Sequence, residues 1–315
     1  MRAIRHSWKR ASREAQSGTR EHLRGLLYAV LGAILWGLSG TAAQVLFQRH
    51  GITPQWLVAA RMLGAGALLA LWARPVFPRR RLAFFLFFAI VGLAGVQYTY
   101  FAAIAYGNAA TATLLQSLSV PMIAVYEAVA ARHKPAPGRL IAIGAALLGT
   151  ALLVLGGQSN GAATPVSALG VIFGILSAVV AAFYILASVA LVAEFGTWSV
   201  TAWGFLIGGL VMAFWAPPWA AHPSGNIIAV VLLTAFVVLF GTLAAFGLFL
   251  GSLRYIPATE AGVAGTMEPV AASVAAFVFL HVALTPIQYV GGALILVAVA
   301  LLRAGAKEGT KQNGR

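Results

Sequence analysis

Ten apolar runs, each about the length that crosses a bilayer, divide this chain and restrict it to one kind of architecture. They lie at roughly 25–47, 55–73, 82–105, 109–131, 139–156, 167–191, 198–216, 227–252, 257–280 and 285–303. Inside hydrocarbon every backbone amide and carbonyl must be paired within the protein, and only helices and closed barrels achieve this. Barrel strands are about half as long as these runs, so the fold expected is all-α, with ten transmembrane helices. Pro54, Pro75, Pro78, Pro135, Pro137, the Gly-rich stretch from Gly156 to Pro165, Pro217-Pro218, Pro257 and Pro286 fall in the breaks, as helix ends require. The thinnest boundary is the third, where only Gly107-Asn108 intervenes.

Charge fixes the orientation. Only 9% of residues are charged and 61% are apolar, whereas a soluble domain carries about a quarter charged residues. The formal charge of +14 could suggest nucleic acid, but the basic residues sit in tails and short loops rather than on one face, so no nucleic-acid partner is expected. With both termini placed in the cytoplasm, the inner connections collect nineteen Lys and Arg and the outer ones only Arg49. That is the bias of membrane topology. Residues 1–24 then form a basic, partly disordered cytoplasmic tail that rests on anionic lipid rather than a cleaved signal, and 304–315 form a second tail.

A duplication lies within this pattern. At a constant offset of 148, Asn108 to Gly156 superposes on Ile256 to Ala304, matching Thr111 with Thr259, Pro121 with Pro269 and His133 with His281. The loop of the first copy carries Arg132, Lys134 and Arg139; its equivalent from Leu280 to Ile287 carries no Lys or Arg. Two copies with opposite loop charge are two units inserted in opposite directions, the plan of many secondary transporters. The chain divides accordingly into a five-helix repeat at 25–156, an outer linker at 157–166 and an inverted repeat at 167–303. Gly170/Gly174, Gly204/Gly208 and Gly247/Gly251 are small-residue steps expected to let helices approach closely.

Several stretches resemble the EamA family of the drug/metabolite transporter superfamily: Leu35-Trp36-Gly37, Arg61 after Pro54, the segment Asn108 to Thr113, Met267-Glu268-Pro269, Leu284-Thr285-Pro286 and Gly291-Gly292-Ala293. The resemblance covers about 27–155 and 168–302. It implies a ten-helix carrier of the bacterial inner membrane that works by efflux or exchange of small metabolites, amino acids being the best-known substrates, through alternating access around a central cavity between the halves. The family's Gly-Glu before the fourth/fifth and ninth/tenth breaks is replaced here by Arg132-His133 and Leu280-His281, so no role is carried over from that Glu.

Ionisable groups at membrane depth are costly and are the first functional candidates. Glu268 lies midway along the ninth run beside Pro269, and its counterpart in the first copy is Val120. It either holds a coupling proton or a substrate amine, or steers packing while neutral. Arg61 either meets a substrate carboxylate or snorkels outward to cap carbonyls. Glu127 and Glu260, near cytoplasmic helix ends, are structural or gate-forming. Trp36, Ser39, Gln97, Tyr98, Gln116 and Tyr184 are expected to line the substrate path, with Phe101, Thr113, Gln44 and Trp203 as further candidates, because a buried amide or hydroxyl needs a partner or water. Pro121 and Pro269 break their helices and are the expected gating points. Trp56, Trp72, Trp198, Trp215 and Trp219 suit interfacial anchoring.

No catalytic set, metal site or cofactor is expected: the six His are scattered, and Cys and a phosphate-binding Gly-Lys-Ser/Thr loop are missing. The function expected is secondary transport of small metabolites, with proton coupling open at Glu268 and no pointer to a particular oligomeric state. Its rivals are a non-transporting sensor or assembly subunit, a lipid-modifying enzyme, and a carrier of drugs or sugar-type solutes. The few fixed charges argue against multiply anionic cargo.

Overall fold

The computed structural model describes residues 2–130, 137–156, 167–252, 255, 256, 261, 264, 265 and 267–312. All regular structure among the described residues is helical. In chain order the helices are α1 (Arg2–His50), α2 (Pro54–Ala73), α3 (Leu82–Ala105), α4a (Ala109–Gln116), α4b (Ser119–Ala130), α5 (Pro137–Gly156), α6 (Ala168–Phe195), α7 (Thr197–Trp215), α8 (Ile227–Ser252), α9 (Met267–Leu280) and α10 (Pro286–Gln312). Six stretches are long and apolar enough to span unaided: Arg20–His50 of α1, α2, α3, α6, α7 and α8. Shorter apolar segments in α4, α5, α9 and α10 make up ten. The linker at 157–166, the loop residues Arg132 to Lys134, Arg254 and Glu260, and the Glu127 side chain lie outside what is described.

Capping chemistry sets the helix starts. Thr53 accepts from the Trp56 amide at 3.3 Å with Pro54 at the first position of α2. Asn108 accepts from the Thr111 amide at 2.9 Å, and Gln44 of α1 accepts from the Ala109 amide at 2.9 Å, so two orphan donors of α4a are satisfied. This is why so short a punctuation as Gly107-Asn108 suffices. At α10, Thr285 and Gln288 exchange bonds of 3.0 and 3.3 Å around Pro286, a reciprocal cap.

The N-terminal basic segment differs from expectation: it is helical and continuous with the first span, giving α1 49 residues. Ala, Arg, Gln and Glu favour helix, and lengthening an existing helix requires no new nucleus. At about 1.5 Å per residue α1 is more than twice as long as the hydrocarbon is thick, so its start projects beyond the membrane.

Packing is close where glycine permits it. Gly149 of α5 and Gly291 of α10 face each other, and a Cβ on either would lie 2.6 Å from the other's carbonyl oxygen. Gly170 abuts the Tyr106 carbonyl, Gly174 abuts Leu115, Gly204 abuts Leu93 and Gly208 abuts the Ala89 carbonyl, so two of the three small-residue steps are contacts. The third is not: a Cβ on Gly247 would meet nothing within 4 Å, because that residue is exposed on the outside of α8.

The duplication is visible in the backbone. α4b and α9 begin at Ser119 and Met267, the same 148 positions apart, each with proline as its third residue. Lacking an amide hydrogen, Pro121 and Pro269 free the carbonyls of Ser117 and Gly265. The amides of Val120 and Glu268 take these up at 3.2 and 3.1 Å, so both breaks close with the same bond. Each third helix also contains a π-helical turn, Phe88–Ala94 in α3 and Leu239–Ala244 in α8, which sequence reading did not anticipate.

Candidate functional site

Residues from both halves enclose a cavity of about 300 Å³. Its lining comes from α1, α2, α3, α4a and α4b of the first half and from α6, α7, α8 and α9 of the second, and the 148-residue repeat sets Val120 of α4b against Glu268 of α9. Among the described residues the lining charges are Arg61 from the first half and Glu268 from the second, and Glu268 has an apolar counterpart in Val120.

Of the residues expected to line a path, Trp36, Ser39, Arg61, Gln97, Gln116, Tyr184 and Glu268 all reach this cavity, as does Thr113. Tyr98 does not border it. Its ring packs against Phe173 of α6 and Trp215 of α7, at 5.9 and 5.0 Å between centroids. The third helix presents Leu93, Val96, Gln97 and Tyr100 instead, a 3–4 spacing that puts position 98 on another face. Tyr100 is one of the lining residues missed, with Ser117, Ser119, Phe246 and Phe249, and stepping three from Gln97 would have found it. Trp203 is also elsewhere: its indole donates to the Pro75 carbonyl at 3.2 Å and stacks edge-on to Phe77. Gln44 is fully buried in its capping role.

Trp36 forms the aromatic wall, with its ring 5.1 Å from Phe246 and 5.0 Å from Phe249. One helical turn on, Ser39 packs directly against Gly241 in the π-helical turn of α8, where any side chain at 241 would exclude it. Gly37 brings α1 backbone to backbone with α9, its Cβ position being 2.6 Å from the Glu268 carbonyl oxygen. Thr41 reaches the Ala272 carbonyl at 3.4 Å. The Leu35-Trp36-Gly37 stretch thus supplies a wall residue and the close approach that sets α9 beside it.

Arg61 is 5% exposed. Its Nε donates to Thr242 Oγ1 at 2.7 Å and its Nη2 to the Gly241 carbonyl at 3.1 Å. The guanidinium carbon lies 5.3 Å above the Phe101 ring, within range of a cation–π contact. It does not snorkel; it turns inward to α8. Among the described residues Nη1 has no hydrogen-bond partner, and no side chain hydrogen-bonds or ion-pairs with Glu268. Tyr100 and Thr113 make a 2.9 Å bond; Thr113 spends its hydrogen on the Ala109 carbonyl at 2.7 Å, so the tyrosine is the donor.

Toward the Arg49 end of α1, contacts tie α1 to α3 and α4a. There Gln48 donates to the Gly107 carbonyl at 3.4 Å, Gln44 holds the start of α4a, and Phe47 packs edge-on against Phe101. The described residues contain no cluster of three His, Cys, Asp or Glu able to hold a metal.

The sequence profile described as the EamA-like transporter family matches residues 23–155 and 168–304. The uncharacterized inner membrane transporter YicL of Salmonella typhimurium is 32% identical over 289 residues, covering 89% of this chain and 95% of that protein. The uncharacterized transporter YwfM of Bacillus subtilis is 26% identical over 290 residues, covering 90% and 94%. A solved structure described only as the crystal structure of a protein shares the fold at TM-score 0.56 and 20% identity, covering 92% of this chain and 98% of its own.

Proposed function

The chain belongs to the EamA-like transporter family, and from that premise we propose that it is a secondary carrier that exports small zwitterionic metabolites, amino acids or close relatives, across the bacterial inner membrane. The observation that carries this reading is the pair of unlike charges, Arg61 and Glu268, brought by opposite halves to one cavity. The open edge of the guanidinium suits a carboxylate. Glu268, whose carboxyl is in no side-chain hydrogen bond or ion pair among the described residues, suits an ammonium group.

Other features of the cavity agree. Its volume of about 300 Å³ lies at the small end of ligand sites, and Trp36, Phe246 and Phe249 give an apolar wall for a side chain. Gln97, Gln116 and Tyr100 supply neutral hydrogen-bonding groups. A single Arg does not balance a multiply anionic cargo, which disfavours phosphorylated solutes. The paired breaks at Pro121 and Pro269 lie where inverted repeats rock to expose one side at a time. Glu268 can take a proton in place of the amine, which couples export to the proton gradient. Both termini and the basic loops face the cytoplasm.

The test is counterflow into proteoliposomes holding the purified protein, with a panel of labelled amino acids, sugars and lipophilic drugs. Accumulation of one or more amino acids, abolished when Arg61 and Glu268 are both replaced by apolar residues, is the result expected. Accumulation of only sugars or drugs would refute the zwitterion assignment.

A further inference from the structure

Thr242 does not border the cavity, yet it holds the one cation that does among the described residues. It is 1% exposed, within the π-helical turn of α8. Its hydroxyl donates to the Val237 carbonyl five residues back, at 2.9 Å. With its hydrogen spent there, Oγ1 can only accept, and it accepts from Arg61 Nε at 2.7 Å. The neighbouring Gly241 carbonyl takes Nη2. A guanidinium is planar, so anchoring the Nε and Nη2 positions and backing the face with Phe101 fixes its plane. What remains is Nη1, without a partner among the described residues.

The π-helical turn makes this geometry available. An inserted residue loosens the regular ladder and leaves groups for side chains to use, which is why such turns recur at functional places. Gly241 belongs to the same device, because a side chain there would strike Ser39.

We propose that Thr242 is a positioning residue that sets the selectivity of the cavity for carboxylate-bearing cargo by holding Arg61 with its free edge toward the substrate. This rests on the zwitterion reading above. Thr242 touches no cargo; it acts through Arg61, and its contribution falls on the carboxylate end of the substrate alone.

The experiment compares two cargoes in proteoliposomes: an amino acid that the wild-type protein moves and the amine left when that amino acid is decarboxylated. The readout is the ratio of their transport efficiencies. Thr242→Val and Thr242→Ala both delete the acceptor, one keeping the volume and the other reducing it, so a shared effect is not one of packing. Each is expected to lower the amino-acid-to-amine ratio about tenfold, chiefly through KM, whereas Thr242→Ser keeps the acceptor and restores the wild-type ratio. An unchanged ratio in a transporting Val or Ala variant, or a Ser variant as impaired as both, would overturn the positioning role and leave the carrier reading standing. If the wild-type protein moves neither an amino acid nor an amine, the zwitterion reading falls and this inference falls with it.

Discussion

Replacing Gly37 with alanine should push α1 away from α9 at the level of Glu268. The added Cβ would lie 2.6 Å from the Glu268 carbonyl oxygen, 2.8 Å from the Ala272 amide nitrogen and 2.9 Å from the Ala271 Cβ. None of these atoms is the end of a side chain that could turn away. Ordinary contact begins near 3.4 Å, so the helices must part by about 0.8 Å, the difference between 3.4 and 2.6. Overpacking of this kind costs about 1–3 kcal/mol, while alanine gains about 0.8–1.0 kcal/mol over glycine in a helix. At Gly247, where nothing lies within 4 Å, only the gain applies. The two alanine variants should therefore differ in stability by about 1–3 kcal/mol, a factor of about 5–150 in the unfolding equilibrium. Reversible unfolding in mixed micelles, followed by circular dichroism, measures the difference. If Gly37→Ala proves as stable as Gly247→Ala, the close approach of α1 and α9 is wrong.

Other perturbations probe the cavity and its frame. Glu268→Gln should remove the dependence of transport on an imposed pH gradient while downhill exchange continues; retained dependence would take the coupling role from Glu268. Arg61→Lys keeps the charge but loses the fork that bridges Thr242 and Gly241, so uptake assays should show weakened transport of amino acids and little change for amines. Asn108→Ala should cost about 1 kcal/mol through loss of the α4a cap, read as a lower midpoint in the same unfolding experiment. Green fluorescent protein fused to the C-terminus should fluoresce in bacterial cells, since that end is expected in the cytoplasm, and a dark, correctly sized fusion would reverse the topology.

Spans, breaks and the inverted duplication were legible because lipid makes hydropathy decisive and proline and glycine punctuate it. Most of the cavity was legible too, since a polar residue such as Gln97 or Glu268 at membrane depth has few other uses. Side-chain direction was harder to read. Tyr98 and Tyr100 are equally aromatic and equally deep, and only helical phase, counted from Gln97, separates them. The π-helical turns left no comparable mark: Gly92 and Gly241 look like ordinary packing glycines until the backbone is traced. The N-terminal segment misled for a different reason, because charge density alone does not tell a disordered tail from a helix already nucleated in the membrane.

The placement of Arg61 and Glu268 bears on why two repeats share one polypeptide. A dimer of identical halves would confront base with base or acid with acid across its axis. Within one polypeptide the two halves can differ, and here one supplies the cation and the other the anion. On the reading proposed above, a dipolar solute held between them would have a defined heading, its two ends assigned to the same partners as the barrier moved from one face to the other.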